Sequence, residues 1–182
     1  LFRSVTSEWS IEKDLAYKNG GTATLRGTVF FEDTRNSLYS QTTFEPLANA
    51  GAGANVTRVS NIGRIKTQGL EVSYQGVDVL ARGLDLSGSL TYAESKITEN
   101  AGFVVTAGDT IGRYQPRVPL TRATALAGYR WSDKLTTSLG ARYSGVQYTS
   151  LNNADTNGFA YQGASKFFTM DTRLRYQFDK TT

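Results

Sequence analysis

The 182-residue chain contains no cysteine, no histidine, only three prolines and a single methionine. Without cysteine there is no disulfide framework and no thiol nucleophile, and without histidine there is no imidazole acid–base chemistry; together these absences remove the commonest metal ligands. They accord with a periplasmic or surface environment. No apolar run approaches the ~20 residues of a membrane helix, which excludes helical membrane spans. A barrel in a membrane is not excluded, because its strands alternate and leave the mean hydropathy, here -0.36, unremarkable. A block of one charge sign is also lacking: 20 Lys+Arg are interleaved with 16 Asp+Glu for a net charge of +4. That distribution gives nucleic-acid binding little support. The opening LFRSVTSEWS does not have the shape of a signal peptide, so an export signal is expected outside this sequence.

What is abundant favours strands. Glycine occurs 18 times, tyrosine 10 and phenylalanine 9, and such aromatic content with many Val and Thr residues points to an all-β chain. Period-2 alternation supports this. Over 135 to 144, Leu135, Thr137, Leu139, Ala141 and Tyr143 share one face, with Thr136, Ser138, Gly140 and Arg142 on the other. Over 168 to 178, Phe168, Met170, Thr172, Leu174, Tyr176 and Phe178 alternate with Thr169, Asp171, Arg173, Arg175 and Gln177. Similar patterns at 120 to 131, 84 to 92, 62 to 76, 21 to 33 and 5 to 17 complete seven predicted strands.

The connections alternate in length. Short turns are expected at 18 to 21, 78 to 83 and 132 to 134, where Gly, Asn, Asp and Ser supply turn chemistry. Long polar loops are expected at roughly 41 to 60, 98 to 117 and 149 to 166, so all short turns fall at one end of the sheet and all long loops at the other. Strands on the order of 10 residues and this asymmetry distinguish a membrane barrel from a soluble sandwich, whose strands average about 5 to 6. Tyr17, Tyr74, Tyr129, Trp131, Tyr176 and Phe178 cluster near the short-turn end as an aromatic girdle, and Tyr92 and Tyr143 suit a second.

Catalytic chemistry is not indicated. The acid pairs Glu8 with Glu12 and Glu32 with Asp33 lack a matched nucleophile or an apolar setting, and Glu8, Glu12 and Asp14 read as a solvated polar strand face. The Gly-rich AGAGAN at 50 to 55 has no following Lys-Ser/Thr and no helix pattern, so it reads as a surface loop rather than a phosphate cradle. No enzyme activity, cofactor or metal is expected. Arg26, Arg122, Arg130, Arg142, Arg173 and Arg175 fall on polar faces with Glu12, Asp14, Glu71, Asp85 and Asp171, a mixture suited to a lumen. Seven strands are too few to close a transmembrane barrel, whose minimum is about 8.

The pattern N-x-G-R-x-x-x-x-G-L-E at Asn61, Gly63, Arg64, Gly69, Leu70 and Glu71 resembles a strand that follows a long surface loop in TonB-dependent outer-membrane receptors. SEWSIEKDLAY (7 to 17), LRGTVFFEDTRNSLY (25 to 39), LSGSLTYAESKITEN (86 to 100), PRVPL (116 to 120) and FFTMDTRLRYQFDK (167 to 180) resemble the same family in order along the chain. The resemblance implies an up-and-down antiparallel meander belonging to a barrel of roughly 22 strands. Residues 1-182 would be a partial barrel domain resembling roughly strands 14 to 20, with the plug and the closing strands outside it. It further implies a Gram-negative outer-membrane location and TonB-coupled uptake of a scarce nutrient, most often an iron–siderophore complex. The partners implied are the TonB complex, through an N-terminal plug, and a ferric siderophore.

On that reading the ligand-binding candidates are Arg113, Tyr114, Arg117, Tyr148, Phe159 and Tyr161, cation and aromatic surfaces for an anionic chelate. Arg64 and Lys66 share a face with Leu70, Val72 and Tyr74 and are placed to face lipopolysaccharide phosphates at the upper interface, unless a bulge at Gly69 reverses the face. Two alternatives are a passive porin-like barrel and a soluble β-domain for adhesion or glycan binding.

Overall fold

The computed structural model describes residues 1–46, 53–100, 110–154 and 166–178. Its regular structure is entirely β: β1 (Arg3–Ala16), β2 (Thr22–Pro46), β3 (Gly53–Val77), β4 (Leu84–Glu99), β5 (Thr121–Arg130), β6 (Leu135–Ser144) and β7 (Phe167–Tyr176). They form one seven-stranded sheet in sequence order with every neighbouring pair antiparallel.

The register converts the sequence alternation into two chemically distinct faces. Ile11, Gly27, Val72, Leu90, Ala123, Tyr143 and Phe168 are paired across all seven strands in a single row. The adjacent row reads Glu12, Arg26, Ser73, Ser89, Thr124, Arg142 and Thr169. Successive rows point to opposite sides of the sheet, so one face is apolar and the other polar. The apolar face lies open: Trp9, Ile11, Leu70, Leu90, Met170 and Leu174 are all exposed. Water is a poor solvent for such a surface, and lipid is a good one. On the polar face hydroxyls pair across strands, as in Ser10 with Thr28 at 2.9 Å and Ser89 with Thr124 at 2.8 Å.

The short turns form where their residues allow. Asn19, Gly20 and Gly21 close β1 onto β2, with Gly20 at φ 86°. Asp78 organises the β3–β4 turn: its carboxylate accepts the Gly83 amide at 2.5 Å and the Arg130 guanidinium at 2.6 Å, which together hold its pKa below the ordinary carboxylate range. At this end lie Tyr17 and Tyr74, whose hydroxyls are 3.0 Å apart, and the edge-on pairs Tyr129–Trp131 and Tyr176–Phe178. The expected girdle is therefore a set of contacting ring pairs.

Two features differ from the expectation. Residues 41 to 46 and 53 to 60, read as loop, continue β2 and β3, which run 25 residues each and pair from Leu38↔Asn61 out to Pro46↔Gly53. The arms support one another by main-chain bonding, which needs no apolar alternation. Second, Ile62 packs in the same buried cluster as Ile65, although an odd spacing along a strand places residues on opposite faces. The change of face occurs where Asn36, at φ 54°, lies opposite Gly63. Gly69 itself pairs regularly with Phe30 and Ala93; the irregularity lies higher, where Arg64 pairs Glu99 and Ile65 pairs Ile97, leaving Thr98 as the extra residue of a bulge.

Candidate functional site

At the loop end of the sheet a small buried cluster of Ile62, Ile65, Ile97 and Leu151, flanked by Tyr39, ties the segments 110–120 and 145–154 to β3 and β4. Ile97 is 0% and Leu151 1% exposed, in a sheet otherwise largely open on both sides. The segment 110–120 runs beside β4 as an irregular extra strand. Ile97 donates its amide to the Arg113 carbonyl at 2.9 Å, and Gln115 donates to Ser95 at 2.8 Å. The Tyr39 hydroxyl donates to the Pro116 carbonyl at 2.8 Å, and burial pushes that phenol's pKa up.

Tyr114 pairs with Lys96, and directly opposed residues present side chains to the same side. The Lys96 ammonium sits 5.1 Å from the Tyr114 ring centroid, a cation–π contact. On Tyr114 stacks Tyr148, with centroids 5.9 Å apart and planes 2° from parallel. Arg117, at φ 64°, donates its amide to the Tyr148 carbonyl at 2.7 Å. The structure thus brings Tyr114, Arg117 and Tyr148 together and leaves the Arg113 and Arg117 side chains exposed beside them. Tyr114 nevertheless lies toward the side of the sheet that is apolar lower down. Phe159 and Tyr161 lie outside the described residues.

Asn153 is a residue that sequence reasoning missed. Its side-chain oxygen accepts the Tyr114 amide at 2.7 Å, while its amide nitrogen donates to the Tyr114 carbonyl at 3.0 Å. One side chain therefore completes both backbone bonds of Tyr114 as a neighbouring strand would. The only signal was an Asn-Asn pair in a polar stretch, which favours the left-handed conformation Asn153 adopts at φ 54°.

Arg64 and Lys66 lie on the side of Leu70, Val72 and Tyr74, in rows just above the apolar band. The first row contains Val5, Asp33, Lys66 and Lys96; the next contains Arg3, Arg35, Arg64 and Glu99. Their roles differ. Arg64 is engaged by both oxygens of Asp33 and by Glu99 at 3.3 Å, a bidentate pair with a third acceptor. Lys66 makes no ion pair among the described residues. A hollow of about 510 Å³ lies beside Lys66, Lys96, Phe31 and Val5.

On the polar face the arginines expected there divide in two. Arg26 pairs with Glu12 at 3.4 Å, Arg130 bridges Asp78 and Asp85, and Arg142 approaches Asp171 at 3.6 Å. Arg122, Arg173 and Arg175 make no ion pair among the described residues.

The family model described as TonB dependent receptor-like, beta-barrel matches residues 5–182. No curated protein matches the chain. Among solved structures, the siderophore receptor PiuA of Acinetobacter baumannii is similar at 21% identity and a TM-score of 0.65, over 96% of this chain and 22% of that one. A mutant of the ferric enterobactin receptor PfeA of Pseudomonas aeruginosa is similar at 23% identity and a TM-score of 0.62, over 98% of this chain and 24% of that one. PirA, a siderophore receptor of A. baumannii, follows at 20% identity and a TM-score of 0.51, over 95% and 26%. This chain therefore spans about a quarter of the length of those receptors, and at these identities the likeness is one of fold. An open two-faced meander and a family match over nearly its whole length lead to one conclusion: the chain belongs to the TonB-dependent receptor β-barrel family, outer-membrane receptors of Gram-negative bacteria and not enzymes.

Proposed function

We propose that the chain forms part of the barrel wall and the surface-loop platform of an active outer-membrane transporter that takes up a ferric siderophore. Residues 1-182 are one piece of its barrel domain. Energy reaches the barrel through the TonB complex, acting on an N-terminal plug of the longer protein. The observation that carries this reading is the two-faced sheet: an exposed apolar side suited to lipid, a polar side suited to a lumen, and an ordered platform at one end only. The named likenesses to siderophore receptors supply the ligand class.

Within the platform Arg113, Arg117 and Tyr148 offer charge and ring surface to an anionic chelate, with Tyr114 stacked beneath Tyr148; Phe159 and Tyr161, a few residues further along the sequence, are proposed as ligand contacts with them. The test is ferric-siderophore binding by the full-length protein carrying Arg113→Ala, Arg117→Ala or Tyr148→Ala. A loss of about tenfold or more in at least one variant, equivalent to ~1.4 kcal/mol, is expected; unchanged affinity in all three removes these residues from the site.

The charged rows above the apolar band are proposed to meet lipopolysaccharide. Lys66, and Lys96 beside its Glu94 partner at 3.2 Å, then offer ammonium groups to its phosphates, whereas Arg64, clamped between Asp33 and Glu99, holds β2, β3 and β4 together one row above them. Lys66→Ala with Lys96→Ala should lower the lipopolysaccharide that copurifies with the full-length protein; equal retention would exclude this face as a contact.

A further inference from the structure

One row of side chains crosses from the wall of the sheet into the platform. Val5, Asp33, Lys66 and Lys96 are paired in it across β1–β4, and Lys96 is bridged in turn to Tyr114. The row lies just above the apolar band, on the face that is apolar lower down. Both lysines have a strand or strand-like segment of this chain on either side: β2 and β4 flank Lys66, and β3 and the segment 110–115 flank Lys96.

The charges of that row are unevenly matched. Lys66 and Lys96 stand directly opposite each other, and like charges so placed repel. Asp33, opposite Lys66 on the other side, gives both carboxylate oxygens to Arg64, and Lys66 makes no ion pair among the described residues. Lys96 is divided between Glu94, at 3.2 Å, and the face of the Tyr114 ring, 5.1 Å from its centroid. An anion held between the two ammonium groups would relieve their repulsion. The hollow of about 510 Å³ beside them is lined by the apolar Val5 and Phe31 and by the hydrogen-bonding Gln68. Phe31 continues the apolar lining downward to Trp9, edge-on with 5.8 Å between ring centroids. Cations over an apolar lining suit an amphiphile whose head is a phosphate and whose chain lies in the membrane.

We propose that Lys66 and Lys96 together hold one phosphate of an outer-leaflet lipopolysaccharide at this hollow, and that Lys96 transmits its presence to the platform. The direction follows from the pairing. Lys66 and Tyr114 flank Lys96 on opposite sides of β4, so an anion seated between the lysines draws the Lys96 ammonium toward β3 and off the Tyr114 ring. Tyr148 stacks on that ring, and Asn153 holds both backbone polar groups of Tyr114. Losing the cation therefore loosens Tyr114 and the segment 110–115 against β4. The coupling is reciprocal: whatever strengthens the contact of Lys96 with Tyr114 weakens the hold on the phosphate by the same factor. The coupling rests on the reading that the charged rows meet lipopolysaccharide, and it makes the lipid a regulator of the platform.

The test takes the full-length protein in phospholipid nanodiscs and titrates it with lipopolysaccharide, with lipopolysaccharide stripped of its lipid A phosphates, or with inorganic phosphate. Bound lipid is counted by native mass spectrometry. Amide exchange is read at Tyr114 and at Gln115, whose amide donates to the Ser95 carbonyl. Intact lipopolysaccharide should speed exchange at both amides about two- to fivefold, the factor that an exposed cation–π contact is worth. The dephosphorylated form and inorganic phosphate should leave exchange unchanged. Lys66→Gln should weaken lipopolysaccharide binding, so that the exchange response needs correspondingly more lipid. Tyr114→Leu, which offers an apolar side chain without a ring face, should tighten lipopolysaccharide binding by the same factor of about two to five. Binding that depends on the phosphates and on Lys66 while exchange at both amides stays unchanged, or a Tyr114→Leu variant that binds no more tightly than wild type, would overturn the coupling and leave the lipopolysaccharide contact standing. Binding indifferent to both the lipid A phosphates and Lys66→Gln would overturn the contact itself, and the coupling with it. An exchange response to inorganic phosphate equal to that of the lipid would overturn the lipid as the occupant.

Discussion

Gly69→Ala tests how closely the polar wall is packed. Gly69 pairs regularly on both sides, so it is not there for a bulge or a positive φ. A Cβ at this position would lie 2.3 Å from Phe30 Cζ, 2.7 Å from its Cε1 and 2.7 Å from the Tyr92 carbonyl oxygen. Carbon atoms prefer about 3.5–4.0 Å, so the ring must retreat by more than ~1 Å. The Tyr92 carbonyl belongs to the backbone of β4 and has less freedom. Overpacking of this kind costs typically 1–3 kcal/mol, and with a backbone atom involved the upper part of that range, about 2–3 kcal/mol, is expected. Phe30→Ala removes the ring contact and leaves the carbonyl contact. The two substitutions together should therefore cost at least about 1 kcal/mol less than their sum. Urea unfolding of the full-length protein in lipid, followed by tryptophan fluorescence for wild type, both single variants and the double variant, measures this. A Gly69→Ala cost within ~0.5 kcal/mol of zero, or strict additivity with Phe30→Ala, would refute the argument that Gly69 is required because the Phe30 ring lies across it.

Further expectations concern the platform and the turns. Leu151→Ala empties the centre of the Ile62, Ile65 and Ile97 cluster. It should cost the platform about 2–5 kcal/mol, read as faster tryptic cleavage after Arg113 and Arg117 with the strands intact. Asn153→Ala strands both backbone bonds of Tyr114 and should loosen the same segment by about 1–3 kcal/mol, seen as faster amide exchange at Tyr114; exchange equal to wild type would show that Asn153 does not hold it. Asp78 has its pKa depressed, first by the Gly83 amide and then by Arg130, so its contribution to the β3–β4 turn is present above the ordinary carboxylate range. That contribution is lost as pH falls through the depressed value. Protection of the Gly83 amide should accordingly collapse only in acid, and Asp78→Asn should remove that pH dependence.

The sheet was legible because one side of each strand had to be apolar and the other polar, which prints a period of two into the sequence. The girdle was legible for the same reason, since rings belong at one height. Legibility ended above the apolar band. The arms from Leu38↔Asn61 to Pro46↔Gly53 are held by main-chain bonds, and their side chains carry no alternation to read. Asn36 opposite Gly63 changes the face without changing the composition. Arg64 and Lys66 looked equivalent in sequence; they differ because Asp33, although opposite Lys66, turns its carboxylate to Arg64, and the β4 bulge brings Glu99 to Arg64 as well.

Local pattern by itself thus determined seven strands, their two faces, the end with short turns and the absence of thiol and imidazole chemistry, because each depends on neighbours one or two residues apart. Only the tertiary structure decided the platform built on Leu151 and Asn153 and the stack of Tyr148 on Tyr114. Those depend on register, and register joins residues 39 to 86 positions apart, such as Tyr114 to Asn153 or Tyr39 to Pro116 and Ile65 to Leu151, at distances that no sequence period records.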